Sequence, residues 1–167
     1  MPDTICPRPV DSQWLLQAHP SDAARIAEAT ALELGGAMLR TATTDGWQVL
    51  HLAPDEWLLT ATATAPDADL RPAFARVEAA YSLVDVSDRT VGRLLVGPAA
   101  RDLLAGACSL DLDSVPVGYC SRTLFGKITA LVWRLTATTW RVDVARSYEG
   151  YLDTLLAANE AGLPLNA

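Results

Sequence analysis

The stretch Trp47-Gln48-Val49-Leu50-His51-Leu52-Ala53-Pro54-Asp55-Glu56-Trp57-Leu58-Leu59-Thr60-Ala61-Thr62 decides the fold class. Two short runs rich in aliphatic and aromatic residues flank Ala53-Pro54-Asp55-Glu56, a tight turn with proline presetting φ at its second position. The reading is a hairpin: Trp47 to Leu52 runs out, and Trp57 to Thr62 returns.

Working outward, Asp45-Gly46 is a turn signal, and the segment from Gly36 to Ala42 is predicted as a strand. Ser21 is placed to cap a helix running toward Leu34, with Gly35-Gly36 as its stop. Residues 1 to 20 hold Pro2, Pro7, Pro9 and Pro20 around an apolar Trp14-Leu15-Leu16, and are expected to form a partly irregular arm. Downstream, Asp69 caps a helix that admits Pro72 in its first turn. Leu70, Phe74, Val77 and Tyr81 then share one face.

The second half follows the same plan. Leu83 to Val86 and Val91 to Val96 read as strands, and Gly97-Pro98 opens a helix lined by Ala100, Leu103, Leu104 and Ala107. A long strand is expected near Leu124 to Leu135. Trp140-Arg141-Val142-Asp143-Val144 alternates apolar and charged, the mark of a half-buried strand. Ser147 then caps a helix carrying Tyr148, Tyr151, Leu152, Leu155 and Leu156, ended by Gly162 and Pro164. The expected class is α+β, with two pseudo-repeated antiparallel sheet-plus-helix units. One compact domain over 21–167 is expected, in halves of about 21–82 and 83–167.

The chain has 167 residues, half of them hydrophobic, which suffices for a core. Its net charge is −7 without a Lys/Arg cluster, so a nucleic-acid partner is excluded as a reading. Cys6, Cys108 and Cys120 are odd in number and lack C-x-x-C spacing, which predicts reduced thiols. No basic segment with an apolar core opens the chain, and apolar runs such as Ala130-Leu131-Val132-Trp133 fall far short of a membrane span. A cytoplasmic chain, with no membrane partner, is the expectation.

Chemistry-bearing patterns are sparse. His19 and His51 lack neighbouring metal-type ligands, and neither a nucleophile elbow nor G-x-G-x-x-G occurs. Gly126-Lys127 imitates the end of a phosphate loop, but its spacing from Gly118 is wrong and Ile128 stands where Ser or Thr is needed. Asp55 with Glu56 and Asp111 with Asp113 read as solvated acidic pairs. Asp85 and Asp88 form a third pair, in which Asp85 interrupts an apolar run and needs a partner; Arg89 and Arg93 are the candidates. Of Trp14, Trp47, Trp57, Trp133 and Trp140, some are expected in the core and at least one against a partner. No catalytic, cofactor-binding or metal-binding residue is assigned.

Four stretches in fixed order resemble the gamma subunit family of heterotetrameric sarcosine oxidases. They are Leu52-Ala53-Pro54-Asp55-Glu56-Trp57-Leu58-Leu59; Leu83 to Arg89 followed by Leu94 to Leu104; Cys108-Ser109-Leu110-Asp111-Leu112; and Asp143-Val144-Ala145-Arg146-Ser147-Tyr148. The resemblance covers residues 45 to 160. The Asp-Val-Ser and Gly-Pro-x-Ala-x-x-Leu-Leu patterns are also similar to the wider folate-dependent aminomethyltransferases, of which the gamma family looks like a shortened form. The resemblance implies a structural role in a complex that demethylates sarcosine to glycine, releasing hydrogen peroxide and forming 5,10-methylenetetrahydrofolate. It places FAD, FMN, NAD and tetrahydrofolate on other subunits, and makes larger flavin-bearing alpha and beta subunits and a small delta subunit the partners. The alternative it raises is an independent folate-binding one-carbon protein.

Overall fold

In a computed structural model, residues 4–8, 12–65 and 69–162 are described. The fold is α+β, with two antiparallel five-stranded sheets. The elements in order are β1 (Thr4–Pro7), β2 (Gln13–Ala18), α1 (Ala23–Thr30), β3 (Thr41–Thr44), β4 (Trp47–Ala53), β5 (Glu56–Ala61), α2 (Arg71–Phe74), β6 (Tyr81–Asp85), β7 (Thr90–Val96), α3 (Ala100–Ala105), β8 (Cys120–Phe125), β9 (Ile128–Arg134), β10 (Thr139–Ala145) and α4 (Glu149–Glu160). Two compact units result, one of residues 1–9 with 88–167 and the other of residues 10–87.

The 10–87 unit holds the sheet β3-β4-β5-β2-β6. The deciding hairpin forms as expected, with Val49 opposite Leu59 and Leu50 opposite Leu58. One sheet face carries Trp14, Leu16, Val49, Trp57 and Leu59 into a core closed by Ile26 of α1 and Phe74 of α2. The expected irregular arm gives way to strands β1 and β2. Gln13 to Ala18 lies between β5 and β6, where its alternating burial fits a central strand better than a loose arm.

The first helix also ends earlier than expected. Thr30 bonds back to the Ile26 carbonyl at 2.7 Å, and Ala31 turns left-handed at φ 58°, well before Gly35-Gly36. An L-residue with a Cβ is penalised there. Ala31→Gly is therefore expected to stabilise the chain by about 1 kcal/mol, seen as a raised urea midpoint with an unchanged slope. The helix expected from Asp69 to Tyr81 stops at Phe74, because Tyr81 is drawn into β6 opposite Ala18. Asp69 still accepts the Arg71 N–H at 3.0 Å, the bond expected of a cap.

The other unit holds the sheet β1-β7-β10-β9-β8, with α3 and α4 against one face. Leu95, Phe125, Val132, Trp140, Val142 and Val144 meet Leu103, Leu104, Leu152 and Leu156 in its core. The long strand expected over Leu124 to Leu135 is two strands. Gly126, at φ 60°, starts a tight turn between paired Phe125 and Ile128. Ser147 lies in a short 3-10 turn ahead of α4, whose N-terminus has no side-chain cap.

The two sheets are the same design written twice. Strands β2, β3, β4, β5 and β6 correspond to β7, β8, β9, β10 and β1, with α1 and α3 after the first strand in each. The correspondence holds residue by residue. The Leu39 N–H bonds the His51 carbonyl at 2.7 Å, and the Gly118 N–H bonds the Arg134 carbonyl at 2.8 Å. Both donors are left-handed, Leu39 at φ 62° and Gly118 at φ 82°. Imidazole His51 stacks on buried Trp57 at 4.9 Å, and guanidinium Arg134 covers buried Trp140 at 5.1 Å. The strand completing the later sheet is β1, which precedes the whole 10–87 unit in the chain.

Candidate functional site

The β10 strand puts Trp140, Val142 and Val144 on the helix-covered face, so Arg141 and Asp143 point to the opposite one. Their sequence pattern reads as a solvated side, yet Arg141 is 5% and Asp143 2% exposed. Buried charges persist when they are paired and hydrogen-bonded. Arg141 Nε donates to both Asp143 oxygens at 3.0 Å, and its Nη2 lies 2.9 Å from Oδ2. The same guanidinium covers the Trp133 ring at 4.7 Å. Arg8 reaches the carboxylate from the other side, with Nε 3.8 Å from Oδ1. Gly92 stands opposite Asp143 in the ladder, and a Cβ there would overlap the carboxylate oxygen and the Arg8 stem. Two guanidiniums thus hold one carboxylate in a notch that glycine leaves open. Arg141 hydrogen-bonds both oxygens of this acid, and Arg8 stands at ion-pair distance.

Asp85 and its proposed partners are separate. Asp85 ends β6, exposed, and accepts the Ser87 N–H at 3.0 Å and the Ser87 hydroxyl at 2.6 Å. The turn after the strand brings Ser87 back onto the carboxylate. These bonds, hydroxyl first, hold its carboxyl below the ordinary carboxylate range, and Arg71 adds to the effect. Arg93 instead pairs with Asp153 at 2.7 Å and Glu149 at 3.1 Å on α4. A depressed carboxyl contributes stability above its unfolded value of about 3.9 and loses it as pH falls through the folded one. Ser87→Ala is therefore expected to raise the Asp85 titration midpoint and shrink that acid-side loss, as followed by carboxyl NMR.

The remaining candidates are similarly engaged. Asp113 is ion-paired with Arg101, which holds its carboxyl low. His19 Nδ1 lies 2.7 Å from the Ser21 hydroxyl, and His51 Nδ1 lies 2.8 Å from the Gly36 carbonyl. Burial pushes the Cys108 thiol up, away from the thiolate a nucleophile needs. Among the described residues, no three His, Cys, Asp or Glu side chains gather as a metal site. A shallow cleft of about 270 Å³ lies between Ala99, Asp102, Leu103, Asn159 and Glu160, where the Asn159 amide donates to the Leu103 carbonyl at 2.8 Å.

All five tryptophans are buried, none more than 4% exposed, which corrects the expectation that one faces a partner. The exposed large apolar side chains are instead Met38, Tyr81, Val84, Val117, Leu124 and Tyr148. Met38 and Val117 occupy equivalent turns, just before the left-handed Leu39 and Gly118 respectively. The sequence signal was present there, as a large apolar residue before a turn, but the repeat that makes it meaningful is not visible in residue identities.

The family model for the sarcosine oxidase, gamma subunit family matches residues 16–162. The chain belongs to that family. As a gamma-family chain it superposes on a heterotetrameric sarcosine oxidase from Corynebacterium sp. U-96, solved in complex with pyrrole 2-carboxylate, with a TM-score of 0.82 and 27% identity. That match covers 99% of this chain and 87% of the other. A glycine cleavage system aminomethyltransferase T from Bartonella henselae matches with a TM-score of 0.75 at 13% identity, over 95% of this chain and 46% of that one, which shows the shared fold. No curated protein sequence matches the gamma-family chain. The resemblance carried by the Pro54 to Trp57 turn and the Asp85 to Leu104 segment is confirmed at the level of family and fold. No helix among the described residues is long and apolar enough to cross a membrane.

Proposed function

We propose that this chain is the gamma subunit of a heterotetrameric sarcosine oxidase and that it serves assembly rather than chemistry. The observation that carries the first half is the near full-length match, in both chains, to a sarcosine oxidase of that architecture. Three features support the second half. Its buried carboxylate is clamped by two arginines, its Cys108 thiol is disfavoured as a thiolate, and its histidines are tied to local turn groups. On this reading the larger alpha and beta subunits, with a small delta subunit, carry FAD, FMN, NAD and the tetrahydrofolate site. The complex demethylates sarcosine to glycine, with hydrogen peroxide and 5,10-methylenetetrahydrofolate as the other products. The gamma subunit contributes surface, and Met38, Val117 and Leu124 are its exposed apolar contacts.

A pull-down from the native cell decides this reading. The tagged full-length chain is expected to bring down flavin-bearing large subunits with sarcosine oxidase activity. Recovery of the chain alone would sink it. The aminomethyltransferase-like fold favours the rival folate-binding one-carbon protein. Titrating the full-length chain with tetrahydrofolate separates the two, since a subunit without its own folate site gives no saturable signal.

A further inference from the structure

We infer that β1 is a releasable strap, clasped to its sheet by Arg8, Gly92 and Asp143, and that opening the clasp frees it while the rest of the sheet stays folded. The strap is four residues long, and it pairs with β7 alone at the edge of the sheet. A ladder that short is marginal by itself. Ile5 packs against the core beneath, the Cys6 thiol lies 3.8 Å from the Leu94 carbonyl, and Arg8, the residue after the strand, adds a group of polar contacts. The Arg8 backbone N–H bonds the Gly92 carbonyl at 3.0 Å, its Nη2 donates to the Thr90 carbonyl at 2.7 Å, and its Nε faces Asp143. Gly92 is what lets the Arg8 stem lie flat over β7.

The 10–87 unit supplies the internal control. Its strand in the equivalent place is β6, and the Val86 N–H bonds the Gln13 carbonyl at 2.8 Å just as Arg8 bonds Gly92. Yet Val86, Gln13 and Thr60 stand where the other unit has Arg8, Gly92 and Asp143. These three side chains carry no charge, so no ionic clasp forms at that place in the 10–87 unit. Release is also chemically permitted. Arg141 keeps both Asp143 oxygens hydrogen-bonded when Arg8 leaves, so no lone charge is stranded in the sheet. What release uncovers is the β7 backbone edge along Thr90–Val96, a ladder able to accept another strand.

Amide hydrogen exchange on the full-length chain tests this directly. Arg8→Ala is expected to speed exchange at the β7-facing amides of Cys6 and residue 8 by about a hundredfold, while Val132 in β9 and Val142 in β10 keep their wild-type protection. Arg8→Lys, which retains the charge but not the forked geometry, is expected to recover part of the loss. Unchanged exchange at Cys6 and residue 8 in Arg8→Ala would overturn the proposal. So would a rise shared equally by Val132 and Val142, because Arg8 would then be an ordinary core contact.

Discussion

Asp143→Ala is expected to cost about 3–5 kcal/mol, because it leaves the Arg141 and Arg8 guanidiniums buried beside each other without their anion. The ordinary consequence of removing a polar side chain is smaller. Here the loss of Coulomb attraction and of two hydrogen bonds at 3.0 Å falls on groups that cannot reach water. A lowered urea midpoint checks the size. The chain itself suggests the compensating change. At the equivalent positions of the 10–87 unit stand Val86, Leu58 and Thr60, so that sheet is built without the ionic cluster. The triple variant Arg8→Val, Arg141→Leu, Asp143→Val is expected to lie within about 2 kcal/mol of wild type, since apolar replacement of a whole buried ion cluster is often neutral. A triple variant as unstable as Asp143→Ala would show that the cluster holds the sheet by more than mutual charge neutralisation.

Trp57→Ala is expected to be comparably severe, at about 4 kcal/mol. The indole is fully buried in the core with Leu16, Leu59 and Phe74, so truncation leaves a cavity. It also orphans the Leu34 carbonyl, which accepts the indole N–H at 3.2 Å, and strips His51 of its stacking surface. Trp57→Phe divides the two effects. It retains most of the packing and loses the N–H, and about 1–2 kcal/mol is expected to go with it. Near-wild-type stability in Trp57→Ala would mean that this core collapses around the gap.

Legibility in the sequence followed how local the deciding signal was. The Trp47 to Thr62 hairpin and the β10 alternation are short-range patterns, and both formed where read. Strand β2 was missed because its pairing partners, β5 and β6, lie some 40 and 70 positions on, and nearby prolines suggested a loose arm. Helix periodicity misled at Tyr81, where a tertiary partner outbid the local pattern. The site was the least legible part. Alternation places Arg141 and Asp143 on one face but says nothing of whether that face is wet. Arg8 reaches Asp143 only through folding, and the glycine that admits both is silent in a single sequence. The repeat was visible as a rhythm of strands and helices. Its residue-level form was hidden, because structurally equivalent pairs such as Leu39 and Gly118, or His51 and Arg134, share geometry and not chemistry.

The place of β1 in the chain has a further consequence, in time. The Cys6 thiol lies against the Leu94 carbonyl across 88 positions, and the entire 10–87 unit is made between them. At ordinary synthesis rates the first strand emerges roughly 4–18 s before its neighbour exists. The intervening unit owns a complete sheet and core, so it is able to close while β1 waits. A strand made before the 10–87 unit is thereby seated after it, joined by a long-range closure that slows folding. Anything fused ahead of Thr4 rides on that waiting strand, and its bulk is felt at the final step of assembly of the sheet.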